Sequence, residues 1–187
     1  MALAEIGDKT QLLAFLLATR YRRPWPIIGG ILVATLLNHA AAGLLGAWLT
    51  SLAGPATMRW VLAVSFIAMA GWMLMPDRLD DDGSAGHDGP RWGVFGTTAV
   101  AFFMAEMGDK TQVATIALAA KVSGLADVAL VVAGTTLGMM IANVPAVLLG
   151  GRIATRMPVK LVHGIAAAVF AALGVATLLG AGQRLGF

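Results

Sequence analysis

Two stretches decide the reading of this chain: "AEIGDKTQ" at 4–11 and "AEMGDKTQ" at 105–112, identical at seven of eight positions and 101 residues apart. The likeness spreads outward from them. A shift of 104 lays Gly30 on Gly134 and "GLLGAWL" (43–49) on "VLLGGRI" (147–153), and a shift of 103 to 104 brings "SFIAMAGWML" (65–74) onto "VFAALGVATL" (169–178). The chain reads as two copies of one unit, 1–75 and 92–187, joined by the acidic stretch "PDRLDDDGSAGHDGPR" at 76–91.

The setting of the motifs is apolar. Of 187 residues 58% are hydrophobic and only 12% charged, with a mean hydropathy of +0.81. A soluble chain needs roughly a quarter of its residues charged. Soluble enzyme, nucleic-acid binder and secreted disulfide scaffold are excluded on this ground, and the chain is expected in a lipid bilayer. The net charge of +3 does not point to nucleic acid, because most of the 13 Lys and Arg lie in short turns between apolar runs, where they set topology. With no cysteine, a metal would have to be held by oxygen, nitrogen or the thioethers of 10 Met.

Apolar runs of membrane-crossing length fall at about 2–19, 26–50, 59–75, 93–119, 125–150 and 159–181. Each unit therefore carries three helices, giving an all-α integral membrane protein of six spans. Three is odd, so the second copy must enter the membrane in the opposite sense, as an inverted repeat with a site expected where the copies meet. The first run is short against its counterpart, so either the first helix lacks about two turns or Met1 is not the natural start, and with no basic n-region and no cleavage site the run does not read as a signal peptide.

Arg20, Arg22, Arg23, Arg78, Arg91, Arg152, Arg156 and Lys160 share one side of this arrangement, against Arg59, Lys121 and Arg184 on the other. That bias predicts a cytoplasmic central loop and outward termini. Trp25, Trp60 and Trp92 stand at span ends, where an interfacial aromatic belt would place them. The loop's Asp80, Asp81, Asp82, His87 and Asp88 are read as a solvated linker rather than a cation-gathering mouth.

Glu5, Asp8, Glu106 and Asp109 lie inside the first and fourth spans. An ionised group there costs on the order of 3 kcal/mol or more and calls for a purpose. Spaced i and i+3, each pair projects from nearly one helical face, and the repeat would bring the two pairs together. Such hard oxygen ligands suit Mn²⁺, Ca²⁺ or Mg²⁺. The carboxylates must shed protons to bind a cation and would hold protons when empty, which couples release of one to uptake of the other.

Neighbouring residues fit the same role. Gly7 and Gly108 permit either close helix packing or a local break that exposes carbonyls to an ion. Thr10, Gln11, Thr111 and Gln112 supply neutral oxygens, and Lys9 and Lys110, four residues after each Glu, are expected as internal counter-ions in i,i+4 pairs. Asn143 is the foremost additional ligand candidate because Pro145 frees a backbone carbonyl nearby. Asn38 and His39 are read first as structural hydrogen-bonders and then as ligands, His163 as interfacial, and Met69, Met73, Met139 and Met140 as apolar filler.

At the paired E-x-G-D-K-T-Q segments the chain resembles the Gdt-type calcium/cation antiporter family over nearly its whole length. The resemblance implies exchange of Mn²⁺ or Ca²⁺ for protons with no tightly bound cofactor, a cytosolic central loop, and, in a bacterium, an inner-membrane manganese exporter. Carried over by position, the motif acids fall on Glu5, Asp8, Glu106 and Asp109, with Lys9, Thr10, Lys110 and Thr111 completing the motifs. Three other readings differ in what they require. An exporter of small organic solutes would move solute without metal, and a passive divalent channel would ignore the proton gradient. A membrane hydrolase would need a nucleophile or metal motif, such as HExxH or GxSxG, that this sequence lacks.

Overall fold

The computed structural model describes residues 1–52, 55–74, 93–149 and 159–179, and every regular element among them is helical. The helices are α1 (Ala2–Glu5), α2 (Lys9–Tyr21), α3 (Pro24–Leu52), α4 (Pro55–Met73), α5 (Gly93–Glu106), α6 (Lys110–Ala119), α7 (Leu125–Leu149) and α8 (Val159–Leu178). The linker 76–91 lies outside the described residues, and with it the readings of Arg78, Asp80, Asp81, Asp82, His87, Asp88 and Arg91. So do those of Trp92, Arg152, Arg156 and Arg184.

Local chemistry explains where the helices start and stop. Pro24 and Pro55 each open a helix, the position at which a missing N–H costs nothing. Arg22 ends α2 in the left-handed conformation, its N–H returning to the Ala18 carbonyl at 3.0 Å, and Gly124, with φ of +104°, precedes α7. The runs read at 26–50 and 125–150 become α3 and α7, the two helices long and apolar enough to cross a membrane among the described residues. At 29 residues α3 spans about 43 Å, more than the ~30 Å hydrocarbon core. Thr57–Trp72, Gly93–Glu106 and His163–Leu178 are shorter apolar helices.

Burial runs opposite to that of a water-soluble protein. Leu37, Leu44 and Trp48 on α3 and Leu130, Leu137 and Ile141 on α7 are exposed, while Thr35, Asn38, His39, Thr135, Thr136 and Asn143 on the same two helices are buried. Helices with apolar residues all round and polar ones turned inward are built for a lipid surround. This is an integral membrane protein.

The two long helices take the first helices of the opposite halves: α3 packs on α5, α6 and α7, and α7 packs on α1 and α2. The third helices, α4 and α8, pack on each other, with Phe66 and Phe170 stacked at 6.3 Å between ring centroids. Lys121, in the turn after α6, donates to the Thr177 hydroxyl at 2.8 Å and lies 5.1 Å over the Phe66 ring, and its partial burial holds its pKa below the ordinary lysine value.

Candidate functional site

Each motif breaks its helix at the same place. Gly7 and Gly108 take φ of +82° and +76°, the left-handed region that a glycine enters without penalty. α1 ends at Glu5 and α2 begins at Lys9, and α5 ends at Glu106 with α6 beginning at Lys110. Asp8 and Asp109, extended at ψ of 164° and 160°, are the N-caps of the second half-helices. Of the two roles the sequence allowed for these glycines, the local break is the one realised.

The breaks bring the motif residues of the two halves together. The Thr10 hydroxyl donates to Glu5 Oε2 at 3.0 Å and the Thr111 hydroxyl, from the other half, donates to Glu5 Oε1. Lys110 Nζ stands 2.8 Å from Asp8 Oδ1, and Lys9 Nζ 3.3 Å from Asp109 Oδ1. The i,i+4 pairing expected within each motif is therefore not what forms. With Asp as N-cap, the helix restarts and its first lysine crosses to the aspartate of the opposite half, so the counter-ion role stands with a different partner. Glu5, Asp8, Glu106, Lys110 and Thr10 are fully buried, and Asp109 and Thr111 nearly so.

Around this centre the structure places the remaining candidates. Gln11 and Gln112 turn their carbonyl oxygens onto the N–H groups of Gly7 and Gly108, at 2.7 and 2.8 Å. Their amides reach across: Gln11 Nε2 donates to the Ala142 carbonyl at 3.1 Å, and Gln112 Nε2 donates to Asn38 Oδ1. Asn143 donates from Nδ2 to its own helix at the Met139 carbonyl, 3.1 Å, which leaves its buried Oδ1 without a hydrogen-bond partner. His39 Nδ1 lies 3.4 Å from the Thr136 hydroxyl, and Nε2 has no partner. Both carboxylate oxygens of Glu106 are likewise buried without one.

His163, read as interfacial, is 8% exposed, and its Nε2–H donates to the Ile6 carbonyl at 2.8 Å. The break at Gly7 is the reason, since an interrupted helix leaves carbonyls that must find donors elsewhere. A histidine one turn into an otherwise apolar helix was the available signal. Among the described residues no three His, Asp or Glu side chains converge as a ready-made metal cage. In this arrangement the two aspartates face ammonium groups.

Apolar outside, acidic and lysine-paired inside, and interrupted at two facing helices, the fold and site define a membrane-embedded ion transporter. The chain belongs to the family of divalent cation/proton antiporters designated GDT1, which it matches over residues 1–81 and 94–184. This is a family of transporters, not enzymes. The chain is 50% identical over 177 residues to a Vibrio cholerae protein named "Putative manganese exporter", covering 95% of this chain and 86% of that protein. It is 32% identical over 192 residues to a "GDT1-like protein" of Synechocystis, covering 91% and 88%. No solved structure matches it.

Proposed function

We propose that this protein exports a divalent cation from the cytoplasm in exchange for protons, with Mn²⁺ as the first substrate and Ca²⁺ as the second. The observation that carries the reading is the meeting of two buried Glu/Asp pairs at facing helix breaks, where Thr111 of one half binds Glu5 of the other and the two lysines cross to the two aspartates. Once the glutamates have shed their protons, four carboxylates against two ammonium groups leave an excess of negative charge that a divalent ion would balance. Glu5, Asp8, Glu106 and Asp109 supply the ligands, with Thr10, Thr111 and the unpartnered Asn143 Oδ1 as neutral oxygens and His39 as a further donor.

To bind, the ion displaces Lys9 and Lys110 from the aspartates and any protons from the glutamates. On the far side protons displace the ion, and the lysines return. The repeated sequence supports a frame for this cycle: units 1–75 and 92–187 as inverted three-helix repeats rocking about the shared site, joined by the cytoplasmic linker 76–91. The basic turns support termini outside, and the Vibrio relative supports a bacterial inner membrane as the setting.

The test is uptake of Mn²⁺, and separately of Ca²⁺, into proteoliposomes with and without an imposed pH gradient. Uptake driven by the gradient supports exchange and ranks the ions. Flux indifferent to the gradient would make the protein a channel, and no metal flux at all would restore the organic-solute exporter.

A further inference from the structure

Both glutamines that close the motifs make the same pair of contacts. The carbonyl oxygen of Gln11 accepts from Gly7 N–H at 2.7 Å and that of Gln112 from Gly108 N–H at 2.8 Å, so each satisfies the backbone donor at its own left-handed glycine. An oxygen already committed to a backbone N–H fixes the amide orientation and leaves –NH₂ pointing outward. Those amides end on matched positions of the opposite halves' long helices: Gln11 on the carbonyl of residue 142 in α7, and Gln112 on the side chain of residue 38 in α3. Under the shift of 104 that relates the second helices, 38 and 142 coincide. The acceptors nonetheless differ in kind, one being main chain and the other an asparagine oxygen.

We propose that Gln11 and Gln112 are positioning residues, each fastening the break of its own helix to the long helix of the opposite half and so holding its Glu and Asp in register with the facing pair. The inference rests on the exchange reading for its functional consequence, but not for the tie itself. Glu5 and Asp8 stand either side of Gly7, and Glu106 and Asp109 either side of Gly108, so any change in the break's angle moves both acids. The neutral amides add no charge to the site. They fix its shape, while the lysines cross to the opposite aspartates to balance it.

The difference between acceptors makes the tie testable by a double-mutant cycle. Gln112→Met strands the buried Asn38 Oδ1 and also releases the Gly108 N–H, Asn38→Leu strands the part-buried Gln112 amide, and each should raise the KM for Mn²⁺ uptake about tenfold at unchanged maximal rate per folded transporter. Combined, they should be no worse than the more severe single change, because replacing both members of a buried pair removes the stranded group. Gln11→Met, whose acceptor is main chain, has no such relation to residue 38, so its effect and that of Asn38→Leu should multiply.

The same cycle is read in thermal unfolding of the detergent-solubilised protein, which requires no transport. There Gln112→Met and Asn38→Leu should again fail to add, while Gln11→Met and Asn38→Leu add. Multiplying effects within the 112/38 pair or a wild-type KM for Gln112→Met would each overturn the proposal. Absence of any Mn²⁺ flux in the wild-type protein would instead sink the exchange reading, and the unfolding cycle would still decide the tie.

Discussion

The segments 4–11 and 105–112 are nearly one sequence in two settings, and the contrast separates what the motif dictates from what its surroundings add. Both break at glycine, place aspartate at the N-cap position and clamp with glutamine, although only the Asp109 side chain takes the cap hydrogen bond, from Thr111 N–H. There the equivalence ends. Glu5 accepts from two threonine hydroxyls, whereas Glu106 has no hydrogen-bond partner for either oxygen. The Lys110 side chain is 1% exposed and that of Lys9 31%. On α3 Gly30 lies against Phe95 and Thr98, and on α7 Gly138 lies against Met1 and Ala2. Local chemistry repeats with the sequence, and tertiary surroundings make the copies unequal.

The widest difference should come from the lysines. Lys110→Met takes the buried ammonium from buried Asp8 and is expected to destabilise the solubilised protein by about 3–5 kcal/mol, the cost of breaking a buried pair on one side. Lys9→Met, at a partly open pair, should cost about 1 kcal/mol or less. Equal losses in thermal unfolding would break the contrast.

The repeated glycines come next. A Cβ on Gly30 would meet the Phe95 carbonyl and Thr98 Cβ at 2.8 Å, so Gly30→Ala should cost about 1–3 kcal/mol by overpacking. Gly134, its counterpart under the shift of 104, has nothing within 4 Å, and Gly134→Ala should leave stability unchanged or raise it by up to about 1 kcal/mol.

A smaller effect separates the glutamates. Glu5→Gln loses part of a two-hydroxyl arrangement and is expected to lower stability by about 1–2 kcal/mol, whereas Glu106→Gln breaks no hydrogen bond and should not lower it. The smallest falls on the shared break: Gly108→Ala meets no steric obstacle, so only the left-handed backbone opposes it, at about 1 kcal/mol. A larger loss there would mean that the break is held by more than its dihedral angle.

Much of this was legible in the sequence. The runs read at 26–50, 125–150 and 159–181 became Pro24–Leu52, Leu125–Leu149 and Val159–Leu178, because long apolar stretches bounded by Pro, Gly and Arg leave little choice of helix limits. The burial of the four acids was legible as well, because charge in an apolar span demands a shielded place. The partners of Lys9 and Lys110 were not, because an i,i+4 rule presumes a continuous helix and Gly7 and Gly108 interrupt it. The partner of His163 was hidden for the same reason: the Ile6 carbonyl becomes free to accept only once the helix is broken. The shared error is treating each span as a whole helix, and a glycine between a glutamate and an aspartate inside an apolar run was the clue against it.

The central claim is that the facing carboxylates hold the transported ion rather than merely neutralising two lysines. Mn²⁺ titration of the solubilised protein, followed by loss of the free-ion electron paramagnetic resonance signal, separates these roles directly. The account predicts saturable Mn²⁺ binding by the wild-type protein that is lost in both Asp8→Asn and Asp109→Asn while each variant stays folded. Undiminished binding in both variants would contradict it and leave the aspartates as structural partners of Lys110 and Lys9.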